Sequence, residues 1–218
     1  MEKGSEVIFE KSVAEFVIVA AEVCRCLERA ASMKRKAFVD QTLKLLPLLY
    51  LKATLLPKCE VTGDEELETY VTEEMYEALR TDLTRLMGEK DDYLEVFLPE
   101  MAYSDQPIRK CISEDLADIY QDIRDFVFIF GLGLNQTMND SLARCIENFG
   151  TLWGQKLVNT LRALHDVKYN INPNDEALDD EEEELDEEEP FYDDELEETD
   201  AILEGDEFEE EELDEEEE

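Results

Sequence analysis

Asp115, Asp118, Asp122 and Asp125 follow one another at intervals of three, four and three residues. On an α-helix that spacing sets four carboxylates in one line, about 100° from the apolar stripe of the same segment. Carboxylate oxygens so arranged at the edge of a core suit a hard divalent cation such as magnesium. A metal held there could polarise a phosphoryl group or activate water.

Two further patterns point the same way. Glu73, Glu74 and Glu77 give the spacing EExxE, and Glu89 with Asp92 gives ExxD. These are similar to the metal-binding pattern of the all-α nucleotide pyrophosphohydrolases. The competing reading is a solvated charged face, because thirty of the first 174 residues are acidic and such spacings arise by chance. Glu89 to Asp92 also follows Gly88, which suits a loop better than a helix. Asn159, Arg162 and His165 lie close together on the last helical segment. Facing Asp118 and Asp122, they would form one wall of a polar cleft; alternatively they tie two helices together through charge-assisted bonds. His165 is the only histidine, and the five cysteines are odd in number. A zinc centre or a Cys-His catalytic pair therefore has little to be built from. Cys24 and Cys26 are two residues apart, which turns them to opposite sides of a helix and argues against a mutual disulfide. No catalytic residue and no cofactor are implied.

Five helical segments must position these groups. Val13, Phe16, Val17, Ala20, Val23, Cys24, Leu27 and Ala31 form the face of a first helix over Ser5 to Ala31. Ile18 and Val19 make it apolar almost all round, so it is expected at the centre of the bundle. After a basic joint at Met33 to Lys36, a second helix runs through Phe38, Leu45, Leu49 and Leu56, with a kink expected at Pro47. Thr72 caps a third helix that ends at Gly88. Tyr93 to Met101 is expected to form one or two helical turns. Ser113 caps a fourth helix, with Leu116, Ile119, Ile123, Val127 and Phe130 inward and Gly131 and Gly133 at its close. A fifth runs from Asn139 or Asp140 to Asp166, and Gly150 and Gly154 within it suggest a close helix approach. No stretch alternates as a strand does. The fold is expected to be all-α, a bundle of about five long helices over residues 1–172, with a disordered acidic tail over 173–218.

That tail carries most of the charge. Residues 175–218 hold thirty Asp or Glu and no Lys, Arg or His, within a chain whose formal net charge is −40. Repulsion among them and a shortage of apolar residues favour disorder. Leu185, Phe191, Tyr192, Leu196, Ile202, Leu203, Phe208 and Leu213 punctuate the acid. Such a segment can dock on a basic protein partner, with charge steering the approach, or simply aid solubility. Its sign excludes direct nucleic-acid binding, although it could mimic nucleic acid on a basic surface. The N-terminus lacks the pattern of an export signal, and no apolar run approaches the roughly 20 residues that a membrane helix needs. A cytoplasmic location is expected.

The segments Tyr103-Ser104-Asp105-Gln106-Pro107-Ile108, Ser113 to Asp122, and Trp153-Gly154-Gln155-Lys156-Leu157-Val158-Asn159 through Leu164-His165 carry a resemblance. Leu46-Pro47-Leu48-Leu49-Tyr50 fits with them. Together they resemble a bacterial family defined as the domain of unknown function 5063, over roughly residues 5 to 168. The resemblance implies a compact helical domain in a bacterial cytoplasm, brings no activity with it and leaves the tail unexplained. From sequence, the expected function is a non-enzymatic interaction or regulatory protein. The alternative is a magnesium-dependent hydrolase of nucleotides or another phosphorylated compound.

Overall fold

The computed structural model describes residues 7–63, 67–95 and 108–170. The chain divides into two units, Met1–Ile171 and Asn172–Glu218; the second lies outside the described residues, as does the expected disorder of the tail. Within the first unit lie α1 (Lys11–Glu28), α2 (Arg35–Thr54), α3 (Glu73–Met87), α4 (Ile112–Gly131), α5 (Asn135–Asn148) and α6 (Gly154–Tyr169). A π turn, Phe149–Trp153, joins α5 to α6, so these two make one long helical run. The fold is the expected all-α bundle of five long helices.

The middle of the bundle is α4, which packs against α1, α3, α5 and α6. Leu116, Ile119 and Ile123 are fully buried on it, while Val127 and Phe130 are only partly covered. The central place expected for α1 is therefore corrected. Phe16, Val23 and Leu27 of α1 do bury, but Ile18 stays exposed, so apolarity all round did not mean cover all round.

Several local expectations resolve differently. Helix α1 begins at Lys11 after a 3-10 turn at Val7–Phe9 and ends at Glu28 before another at Ala30–Ser32. Helix α2 runs unbroken through Pro47. Pro47 is exposed, so water can take up the carbonyl that the proline leaves without a donor. Both halves of α2 keep α1 as neighbour, from Cys26–Thr42 (3.9 Å) to Glu15–Lys52 (2.6 Å). Tyr93 does not start a helical turn. Asp92–Leu94 is a strand, β1, paired antiparallel with β2, Arg109–Cys111, in the register Asp92↔Cys111, Tyr93↔Lys110 and Leu94↔Arg109. Three residues are too few for alternation to show in sequence.

Caps behave partly as expected. Thr72 accepts a hydrogen bond from the Met75 amide at 3.3 Å, and Gly88 ends α3 with φ of 54°. Ser113 is no N-cap. Helix α4 starts at Ile112, and Asp91 caps it from outside by accepting from the Ser113 amide at 2.8 Å and the Ser113 hydroxyl at 2.6 Å. The glycines of the last run do not mark a helix contact. Gly150 faces open space, whereas a Cβ on Gly154 would collide with the Phe149 carbonyl oxygen inside the π turn. All five cysteines are free thiols, and no described helix is long and apolar enough to cross a membrane.

Candidate functional site

The four aspartates share a line on α4, but each meets a different neighbour. Asp115 is buried and accepts from the Tyr93 hydroxyl of β1, with the Lys156 ammonium of α6 at 3.9 Å. Asp118 accepts from the Tyr76 hydroxyl of α3 at 2.8 Å and pairs closely with Lys156. Asp122 accepts from the Asn148 amide at the end of α5 at 2.6 Å. Asp125 accepts from the backbone amides of Tyr70 and Val71, both at 2.8 Å. One carboxylate line thus ties α4 to β1, α3, α5, α6 and the segment leading into α3.

Burial pushes the Asp115 carboxyl above its ordinary pKa, against the pull of the Tyr93 bond and the Lys156 charge. The Asp122 carboxyl is likewise raised by burial, with the Asn148 bond opposing. Burial and the neighbouring carboxylates raise the Tyr93 and Tyr76 phenols, so both remain hydrogen-bond donors to Asp115 and Asp118. The network therefore has assigned directions: phenols and ammonium donate, carboxylates accept.

The other acidic patterns do not join it. Glu73 and Glu74 stand exposed in the first turn of α3, where the helix dipole favours them. Glu77 accepts from Arg80 one turn on, at 2.6 Å. Asp92 pairs with Arg109 across the ribbon at 3.1 Å. Among the described residues, no three or more His, Cys, Asp or Glu converge in an arrangement that could hold a metal ion.

The expected polar cleft is divided rather than shared. Asn159 is buried, donating to Glu95 at 3.0 Å and accepting from Gln155 at 2.9 Å. Arg162 donates to the Leu94 carbonyl at 3.0 Å, and the His165 ring is exposed and tilted against Tyr169 at 4.6 Å. Arg162 and His165 do line a cleft, of about 590 Å³, but with Lys90, Asp92 and Tyr93; neither Asp118 nor Asp122 borders it. Asp122 and Asp125 border a separate cavity of about 40 Å³ beside Arg144. The tie to α4 comes from Lys156 instead of the expected Arg162 or His165. Sequence reasoning missed Lys156, although its place one turn before Asn159 on the same segment was a usable signal.

A second polar latch also went unread. Asp140, buried on α5, accepts from the Thr62 amide at 2.7 Å and the Gly63 amide at 2.9 Å. Burial alone would raise its carboxyl, but donors from Thr62, Asn139 and Gly63 outweigh that and hold it below the usual range. Asn139 adds a bond to the Glu60 carbonyl at 2.8 Å. Two residues expected to start a helix thus lie inside it and fasten the chain that follows α2.

Comparison with curated proteins returned no match. Among solved structures, the fold is similar to the crystal structure of protein BF1032 from Bacteroides fragilis, a structural-genomics target. The two are 66% identical, with a TM-score of 0.69, over 77% of this chain and 99% of that one. The model of the domain of unknown function DUF5063 matches residues 7–170, close to the stretch over which the motifs show their resemblance, and the chain belongs to that family.

Proposed function

We propose that this is a non-enzymatic, cytoplasmic interaction or regulatory protein, a fixed helical body bearing an acidic arm that engages basic partners. The observation that carries this reading is the engagement of the Asp line. Asp115, Asp118, Asp122 and Asp125 each accept from a separate neighbour, which accounts for their spacing as helix-to-helix fastening. The arm supports it through thirty carboxylates in residues 175–218 with no cation among them.

Affinity capture with the full chain, beside a chain ending at residue 172, tests the arm. Basic proteins should be retained by the full chain only and released by about 0.5 M salt, since exposed charges are screened within about 10 Å even at 0.1 M. An isolated peptide of residues 175–218 should be extended at neutral pH and gain helix as pH falls towards about 4, where glutamates lose their charge. Retention indifferent to salt, or stable helix at pH 7, would reject the electrostatic account.

The rival magnesium-dependent hydrolase is tested by melting. On the interaction reading, a site weaker than about 10 mM would gain less than about 0.1 kcal/mol from 1 mM magnesium or manganese. A clear rise in Tm, abolished by Asp118→Asn with Asp122→Asn, would favour the hydrolase instead.

A further inference from the structure

The solvent side of α2 and its C-cap carry Lys44, Leu48, Leu51 and Leu55 at intervals of four, three and four, the spacing of a coiled-coil seam. Leu48 is 39%, Leu51 52% and Leu55 55% exposed. Beside it α1 runs antiparallel, held by the Cys26–Thr42 and Glu15–Lys52 contacts. That register sets Ile18, 68% exposed, against the turn between Leu48 and Lys52. Scattered exposed leucines are ordinary, but four aliphatic side chains along one seam form an uncovered apolar strip.

Charge indicates what covers it. Helix α2 carries Arg35, Lys36, Lys44 and Lys52 against Asp40 alone, and Lys58 follows its end. Lys11 and Lys52 converge on the single carboxylate of Glu15. The seam is thus bordered by positive charge in a chain whose formal net charge is −40. A second copy docked through the same seam would bring the same lysines against it. An acidic helix brings the complement to both the lysines and the leucines.

We propose that the α1–α2 seam is a docking groove for an acidic amphipathic helix of a partner protein. Its aliphatic residues, at three-four spacing, would lie on Ile18, Leu48, Leu51 and Leu55, with its carboxylates towards Lys44 and Lys52. The proposal rests on the interaction reading but not on the acidic arm, so either can fail without the other.

The test titrates the full chain into a fluorescein-labelled peptide of about 20 residues, with leucine at three-four spacing and glutamate elsewhere. Micromolar binding is expected, weakened about tenfold or more by Leu51→Glu and by Lys44→Glu. Both side chains are exposed, so the variants should melt like the parent, and Leu55→Glu provides a second apolar probe if one of them does not. Three parallel arms use a lysine-for-glutamate peptide, phosphatidylserine vesicles and sedimentation of the chain alone. Failure of the acidic peptide to bind, or binding untouched by Leu51→Glu, overturns the proposal. So does equal binding of the lysine peptide. Vesicle binding lost in Leu51→Glu, or a dimer dissolved by it, assigns the seam to a membrane or to a second copy and overturns it equally.

Discussion

Trp153→Ala is expected to lower the unfolding free energy by about 3–5 kcal/mol, read as a fall in urea midpoint at unchanged slope. Trp153 is fully buried, its indole N–H donates to the Cys145 carbonyl at 3.3 Å, and its ring lies 4.7 Å from that of Phe149. Phe149 in turn meets Tyr50 of α2 edge-on at 5.3 Å. The indole is thus packed beside the π turn, and alanine would leave a cavity and remove one of two donors to the Cys145 carbonyl, which keeps the Phe149 backbone amide. Trp153→Phe should lose much less, separating volume from the hydrogen bond. The neighbouring glycines give a built-in contrast. Gly150→Ala should be neutral or slightly stabilising in its open position, whereas Gly154→Ala should destabilise through its collision with Phe149. A loss below about 1 kcal/mol for Trp153→Ala would mean that the surrounding helices collapse into the gap, and that the indole does not hold the turn.

Features set by neighbours in sequence were legible, and features set by neighbours in space were not. Thr72 and Gly88 mark the ends of α3 because a cap needs only the next few residues. The inward set Leu116, Ile119 and Ile123 is plain from the helical period alone. Ser113 misled because its true capping partner, Asp91, lies 22 positions upstream. Pro47 leaves α2 unbroken, because its exposed face lets water take up the freed carbonyl. The Asp line was correct as a line, but periodicity names a face and says nothing of what stands opposite. Tyr76 reaches Asp118 across 42 positions and Lys156 across 38. Asn159, Arg162 and His165 do share one segment, yet β1 approaches them where Asp118 and Asp122 were expected, and that ribbon is too short to be seen in the sequence.

Replacing Lys156 with methionine is expected to cost about 2 kcal/mol at neutral pH. Stripping one partner from a fully buried pair costs roughly 3–5 kcal/mol, and the figure is reduced here because the Lys156 side chain is 33% exposed. The loss should depend on pH in a defined direction. Burial already holds the Asp115 carboxyl above its ordinary pKa, and the Lys156 charge opposes that rise. A carboxyl raised in the native state binds its proton more tightly there than in the unfolded chain. Its contribution to stability therefore falls as pH climbs from about 4 through the raised native value, and stays low above it. Removing the lysine moves that native value higher still. The deficit of Lys156→Met should thus be largest near pH 7 and shrink as pH falls towards about 5. Asp115→Asn in the Lys156→Met background removes the more buried of the two carboxylates that the lysine leaves behind, and keeps an acceptor for the Tyr93 hydroxyl. That double variant should recover about half of the deficit at pH 7 and flatten its pH dependence. A deficit equal at the two pH values, with no recovery in the double variant, would show that the lysine acts through the packing of its aliphatic stem. The close approach of its ammonium to Asp118 would then be incidental to stability.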